Sequence, residues 1–365
     1  AIASTTSRSE SVKSTRLQSA SSTASSVEIV TLSLRSSQSR NAKCCAAGVA
    51  ADRAGLASGA ARKPVLACTY RVSAQPLPLQ AGVERIPTYT FPESAVRALG
   101  RASSYATWRT APQGQAPAFD AIYAEEARAL CRAVVAVRGD TWLTAEELSR
   151  LLNAFGLPLA PKAMVRSEAE AAATASIIGF PVVLKIDAPG VLHKTESGGV
   201  RLNLSTERAV QTAFRDIAER FPEVRHAGAA SAVFVQPMLT GVETIVGLTE
   251  DPTFGPLIAF GSGGIDTEVH HDVAFRLAPL TDREADTLMQ SVRCYPLLQG
   301  HRGRPAADLR ALSDVILRVS LLGEHIPEVR ELDLNPVIAL PAGHGCRVVD
   351  ARARVGPAIQ QVPTA

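Results

Sequence analysis

The sequence predicts an α+β fold, with helices and β-hairpins mixed rather than strictly alternating. Three observations carry this prediction. Helix-opening signals precede apolar runs of helical period, as at Thr144 to Phe155. Short apolar runs separated by glycines occur in adjacent pairs, as in PVVLKID and VRLNL. The regular strand–helix alternation of a doubly wound sheet is missing. The 365 residues are 46% hydrophobic, enough for one to three domains with cores of their own. A net charge of +3 gives no electrostatic reason to expect nucleic acid as a partner. No run of 18 apolar residues occurs, so no membrane span is expected. Cys44, Cys45, Cys68, Cys131, Cys294 and Cys346 show neither a CxxC pair nor a zinc-like spacing. They read as buried or incidental thiols in a reducing, cytoplasmic setting.

Residues 1–48 are expected to be disordered. The first 40 hold fourteen serines, five Lys or Arg and two acids, a composition that cannot offset its ordering entropy. Such a segment also fits an organelle transit peptide. Residues 49–110 read as a partial α/β domain. An Ala-rich stretch can form a helix at 49–61, a strand covers Pro64 to Tyr70, and an extended piece covers 83–91. A helix then opens at Pro92 and Glu93. Residues 111–139 begin with APQGQAPAFD and have the composition of a linker.

From residue 140 the helix signals are clear. Thr144 and Glu147 form a capping box, with Leu143 and Leu148 as a hydrophobic staple. Leu148, Leu151, Leu152 and Phe155 recur at helical spacing, and Gly156 ends the helix. Ser167 and Glu170 open a second helix that stops at Gly179. PVVLKID and VRLNL read as a hairpin, followed by a helix over STERAVQTAFRDIAERF. Three strands, a long helix over PAADLRALSDVILRVSLL, and two closing strands, VRELDLNPVIAL and CRVVDARAR, complete the chain.

Three groups of residues carry chemistry. Lys185 lies inside an apolar strand, where an ammonium is costly to bury unless an anion such as phosphate meets it. A lysine snorkelling from an edge strand is the alternative. Ser197, Gly198 and Gly199 form a tight loop whose backbone N–H groups can approach phosphate oxygens, or a hairpin turn of no special role. His193 and Lys194 precede it. A neutral imidazole there is a competent nucleophile toward a phosphoryl group, although a lone histidine is more often a surface residue. Asp333 and Asn335 stand two apart on one strand and so share a face, with Asp350 on the neighbouring strand. Converging oxygens of this kind suit Mg²⁺, which takes few protein ligands besides nucleotide phosphates, while paired acids on a strand are otherwise usually solvated.

GFPVVLKIDAPGVLHKTESGGVRLNL, VFVQPMLTGVETIVGLTEDPTFGPLIAFGSGG, DVAFRLAPL and ELDLNPV occur in order. Together they resemble the ATP-grasp domain of ADP-forming acetyl-CoA (acyl-CoA) synthetases, relatives of the succinyl-CoA synthetase β subunit. KPVLACTY and IPTYTFPESAVRALGRASSYATWR resemble the end of the same family's flavodoxin-like CoA-ligase domain. The resemblance implies an ATP-grasp fold preceded by a partial flavodoxin-like segment, with ATP-grasp subdomains at 140–231 and 232–356. It further implies that Lys185 binds nucleotide phosphates and that Ser197, Gly198 and Gly199 close over them. Gln236, Pro237 and Met238 would face adenine as a hinge, with Glu243 near the ribose. Asn335 and Asp350 match the family's Mg²⁺ ligands, with Asp333 beside them. His193 matches the histidine proposed to carry phosphate.

The implied activity is phosphoryl transfer within an ADP-forming acid–CoA ligase, using ATP or ADP, phosphate, Mg²⁺ and acyl-CoA. The family's CoA-binding Rossmann domain and the second phosphorylated histidine of its ligase domain have no counterpart here. CoA is therefore expected through a missing domain or an α-like partner subunit, without which turnover is not expected. The alternatives are a regulatory ATP-grasp-like part of a protein acetyltransferase fusion, and a non-catalytic subunit. His270 and His271 receive no role.

Overall fold

Strand and helix signals in the sequence map onto two compact units, residues 1–112 and 113–365. The structure is a computed structural model, and it describes residues 12–17, 27–33, 65–70, 79–81, 84–187, 197–226, 231–264, 272–301 and 303–358.

In the first unit, β1 (Val12–Leu17) pairs antiparallel with β2 (Val27–Ser33). Strand β2 runs parallel to β3 (Val65–Tyr70). A hairpin of β4 (Leu79–Ala81) and β5 (Glu84–Ile86) follows, and β6 (Thr88–Tyr89) joins β3 in parallel. Helix α1 (Pro92–Thr110) starts as expected, with Pro92 and Glu93 in its first turn. Its Ala95 is buried in a small cluster with Leu66, Tyr89 and Leu99. Two strands thus fall in the segment expected to be disordered. Their cause is local: Val27, Ile29, Val30 and Thr31 are β-branched residues suited to a pleated surface, and the serine-rich composition around them conceals this. The helix expected at 49–61 lies outside the described residues.

The second unit opens with α2 (Ala124–Arg138), inside the stretch expected to be a linker. Ala127, Cys131 and Val134 of this helix enter the main core, so 111–139 is not a linker throughout. Strand β7 (Thr141–Trp142) leads to α3 (Ala145–Ala154), which opens with the expected capping box. Thr144 Oγ1 accepts from Glu147 N at 3.3 Å, and Glu147 Oε2 accepts from Thr144 N at 2.8 Å. Gly156 follows the helix at φ +63°, a conformation glycine adopts freely.

Strand β8 (Ala163–Val165), α4 (Glu168–Ile178), β9 (Val182–Asp187), β10 (Val200–Leu204), α5 (Glu207–Arg220) and β11 (Ala232–Pro237) build a small lobe. Its antiparallel sheet has the order β10-β9-β11-β8. At the start of α4, Ser167 caps Glu170 N as expected, but Glu170 Oε2 accepts from Arg166 N, so that box is only half formed. Strand β11 is expected from the sequence in the following subdomain. It pairs with both β9 and β8, which puts it in this lobe. Val182, Leu184, Ile186, Val233 and Val235 point into one core with Val210, Phe214 and Ile217 of α5.

The larger lobe contains β12 (Val242–Asp251), β13 (Gly255–Ser262), β14 (Val273–Leu277), α6 (Asp282–Gln290), α7 (Tyr295–Leu298), α8 (Leu309–His325), β15 (Val329–Ala339), β16 (Cys346–Val348) and β17 (Ala351–Val355). The sheet order is β14-β13-β12-β15-β17-β7, with β16 also on β15. Val246, Leu248, Leu332 and Leu334 of the sheet meet Leu151, Phe155, Leu312, Ile316 and Val319 in one core. Each such side chain contributes about 1.5–3 kcal/mol by leaving water. Between Leu334 and Val337, β15 carries two residues opposite one of β12, a β-bulge. CRVVDARAR is divided into β16 and β17 at Val349 and Asp350.

Two charged clamps fix the edges of this core. Glu328, with a side chain only 6% exposed, receives Arg132 Nε at 2.9 Å and has Arg128 Nε at 3.4 Å. Asp308 caps α8 through Ala311 N at 3.1 Å. It also accepts Gly343 N at 3.0 Å and Gly345 N at 2.9 Å, tying the helix to the turn between β15 and β16. Burial pushes the thiols of Cys131, Cys294 and Cys346 up to about 12, which leaves them protonated and unreactive. Among the described residues no helix is long and apolar enough to cross a membrane.

The Asp308 clamp predicts a pH-dependent stability. The backbone N–H of Ala311, then those of Gly345 and Gly343, hold its carboxyl below the usual value of 3.8. A depressed carboxylate stabilises the fold above its unfolded pKa and loses that contribution as pH falls through the folded value. Asp308→Ala is expected to cost about 2 kcal/mol at pH 7. Urea unfolding of both proteins checks this, and the difference should shrink below about pH 4.

Candidate functional site

In β9 the side chains of Val182, Leu184 and Ile186 fill the small-lobe core, so strand alternation puts Lys185 on the opposite face. Cross-strand partners share a face, and Lys185 stands opposite Phe234 while Val183 stands opposite Gln236. Lys185 and Gln236 are therefore diagonal neighbours on the face turned away from the α4 and α5 core. Gln236 is 5% exposed, and its side-chain oxygen meets no donor among the described residues. A buried acceptor of that kind suits a ligand N–H.

Pro237 ends β11, and residues 238–241 lead to β12 in the larger lobe. Met238 N donates to Pro181 O at 2.9 Å, which ties this connection to the start of β9. Glu243 is exposed at the beginning of β12. Its backbone oxygen accepts from Gly263 N at 2.9 Å, and its carboxylate lies close over Gly264.

The two lobes meet at Lys185. Its Nζ donates to the backbone oxygen of Val349, in the break between β16 and β17, at 3.3 Å. Asp350, the next residue, accepts from Asn335 N through its backbone oxygen at 3.1 Å. Val349 N in turn donates to Pro336 O at 3.0 Å. Lys185 of one lobe and the Asn335–Asp350 pair of the other are thus brought together. Asp333 stands apart from that pair in its bonding. Its Oδ2 accepts from Arg352 Nε at 3.1 Å, and the Arg352 guanidinium lies 5.6 Å from the Trp142 ring. Burial pushes the Asp333 carboxyl above the ordinary carboxylate range, against the opposing pull of Arg352.

Ser197, Gly198 and Gly199 form the turn into β10, with Gly198 at φ +71°. Gly199 O accepts from Ile186 N at 2.8 Å, so the turn is fixed to β9 one residue beyond Lys185. His193, His270 and His271 lie outside the described residues.

Sequence reasoning missed several residues here. Lys162 Nζ lies 4.8 Å from the centre of the Phe234 ring, on the Lys185 face. The alternation of Phe234 and Gln236 with the buried Val233 and Val235 was the available signal for that face. Arg352 is on β17, two residues after Asp350, but an arginine after an acid carries no signal without the register. Among the described residues no group of three His, Cys, Asp or Glu side chains can hold a metal by itself. Asn335 and Asp350 can offer a cation two side-chain oxygens, leaving further ligands to nucleotide and water, which is how Mg²⁺ is usually held.

The unit is thus two-lobed, with a lysine of one sheet bonded to the backbone of the other beside Asn335 and Asp350. The chain belongs to the ATP-grasp domain family, whose profile matches residues 134–355. It is 37% identical over 268 residues to the ADP-forming 4-hydroxybutyrate–CoA ligase of Nitrosopumilus maritimus, covering 73% of this chain and 38% of that protein. It is also 37% identical over 220 residues to subunit beta of the ADP-forming acetate–CoA ligase II of Pyrococcus furiosus, covering 60% of this chain and 93% of the subunit. A solved chain of the dinucleotide-forming acetyl-coenzyme A synthetase 1 of Ca. Korarchaeum cryptofilum matches with a TM-score of 0.56 at 39% identity, covering 63% of this chain and 99% of that one. That structure was determined in complex with coenzyme A, Ca-AMPCP and HgCl+.

Lys185→Met removes the ammonium that bonds Val349 O across the lobes while keeping the apolar stem. Affinity for Mg·ATP, measured by calorimetry, should fall about tenfold or more, since a charge-assisted bond to phosphate is lost. The melting temperature without nucleotide should move by only a few degrees.

Proposed function

We propose that the chain is the ATP-binding, Mg²⁺-dependent phosphoryl-transfer part of an ADP-forming acid–CoA ligase. The overall reaction is acyl-CoA + ADP + phosphate ⇌ acid + ATP + CoA. The observation that carries this reading is the bond from Lys185 to Val349 O, beside the backbone-linked Asn335 and Asp350. It sets an ammonium beside the backbone of the two residues proposed as metal ligands, which supports a site for a nucleotide polyphosphate with its metal. The likeness to a separate beta subunit over 93% of that subunit supports it further. The chain spans 38% of the Nitrosopumilus ligase, so the remaining steps are assigned to an α-like subunit or domain that binds CoA.

In this reading Lys185 neutralises phosphate charge, and Ser197, Gly198 and Gly199 cover the phosphates. Gln236, Pro237 and Met238 hold adenine; the unpartnered oxygen of Gln236 suits its exocyclic amine. Glu243 meets the ribose. Asn335 and Asp350 hold Mg²⁺, which when bound shields the phosphate oxygens, and Asp333 orients Arg352 beside them. A ring nitrogen of His193 attacks the γ-phosphorus, the bond to the ADP oxygen breaks, and the ring proton is lost to solvent. Residues 49–110 are the tail of the CoA-ligase domain.

Incubation with γ-labelled Mg·ATP tests the reading. Acid-labile, base-stable label is expected on the wild-type protein, not on His193→Asn, and the Mg²⁺ dependence should weaken in Asn335→Ala and Asp350→Ala. Equal labelling of His193→Asn would exclude that histidine as acceptor. No label at all, with ATP still bound, would favour the regulatory ATP-grasp-like alternative.

A further inference from the structure

We infer that Arg201 is a positioning residue for the phosphate-binding turn, acting through the Gly198–Gly199 peptide. This rests on the reading that the turn meets nucleotide phosphate. Arg201 Nη1 donates to Gly198 O at 2.7 Å and to Val200 O at 3.1 Å. Arg201 stands opposite Leu184, whose side chain is in the small-lobe core, so its side chain starts on the α5 side of the sheet. There it lines an open cavity of about 460 Å³ with Thr206, Thr212 and Asp216 of the α5 region. Lys185 stands opposite Val200 and belongs to the other face.

The carbonyl of Gly198 is therefore held by the Arg201 guanidinium. The C=O and N–H of one trans peptide unit point in opposite directions, and the cis bonds of this chain lie elsewhere. The N–H of Gly199, at the other end of that unit, is directed away from the Arg201 guanidinium. Gly198 at φ +71° accommodates the turn, and a Cβ there would come within 3.0 Å of Arg220 Nη1. Two guanidinium groups thus stand behind the turn. A cation on the carbonyl also polarises the peptide and strengthens its N–H as a donor to an anionic oxygen. Arg201 itself touches no phosphate. It sets the direction and strength of the amide that does.

Calorimetric affinities of the intact chain for Mg·ATP and for AMP separate this role from a general structural one. Arg201→Ala should weaken Mg·ATP about tenfold and leave AMP within about twofold, because AMP lacks the outer phosphates that meet the turn. Arg201→Lys should recover part of the loss through a single donor to Gly198 O. Unchanged Mg·ATP affinity in Arg201→Ala, or equal losses for both nucleotides, would overturn the inference. A wild-type protein that binds no nucleotide would instead overturn the reading beneath it. If the alanine variant does not fold, the wild-type Gly199 amide resonance decides: a downfield shift on adding Mg·ATP is expected, and an unmoved resonance overturns the inference.

Discussion

Strand β15 is paired on both sides, by β12 along one edge and by β17 and β16 along the other. Its extra residue between Leu334 and Val337 governs much else. Side chains alternate along a strand, so one inserted residue reverses the phase. Leu332 and Leu334 before the bulge and Val337 and Ala339 after it all enter the same core. Without the insertion, Val337 would face the side on which Asp333 now meets Arg352. The bulge also leaves Asn335 exposed where its N–H reaches Asp350. Filling the core and exposing Asn335 are two results of one irregularity.

The small lobe answers a different constraint. Its four-stranded sheet is covered by α4 and α5 on one face, which accounts for the apolar Val182, Leu184 and Ile186. The other face carries Lys185, Phe234, Gln236 and Lys162, a mixture that is poorly suited to a second core. The side-chain oxygen of Gln236, buried there with no donor among the described residues, is a cost to the isolated lobe. The carbonyl of Val349 is a modest partner for an ammonium, worth less than a phosphate oxygen would be. The lobe therefore has its apolar packing on one side and its polar side chains on the other.

Local grammar made much of this legible. The Thr144–Glu147 box, the helical spacing from Leu148 to Phe155, the stop at Gly156 and the strand over Val182–Asp187 all follow from nearest-neighbour chemistry. Lys185 and the Ser197–Gly199 turn stood out because a charge in an apolar run and paired glycines are local signals. What failed was non-local. Whether β11 closes one lobe or opens the next depends on its pairing with β9 and β8, which no window of sequence contains. Helix α2 was hidden by the small side chains of Ala127 and Cys131 and by the proline-rich stretch before it. Asp333 looked like a companion of Asn335 because both obey the same alternation. Arg352 claims it from another strand, nineteen residues away.

The capture of Glu328 by Arg128 and Arg132 sets where this unit begins. The family profile starts at residue 134, inside α2, which spans Ala124–Arg138. Both arginines lie upstream of that point, as do Ala127 and Cys131 of the core. Excision at 134 would sever a helix and strand a carboxylate in the interior without its counter-charges, a cost of several kcal/mol. The smallest autonomous piece is accordingly longer than the span of the family profile, as is the 268-residue likeness to the Nitrosopumilus ligase. The profile's start and the start of the packed unit do not coincide, and the ten residues Ala124 to Ala133 belong with the core they fill.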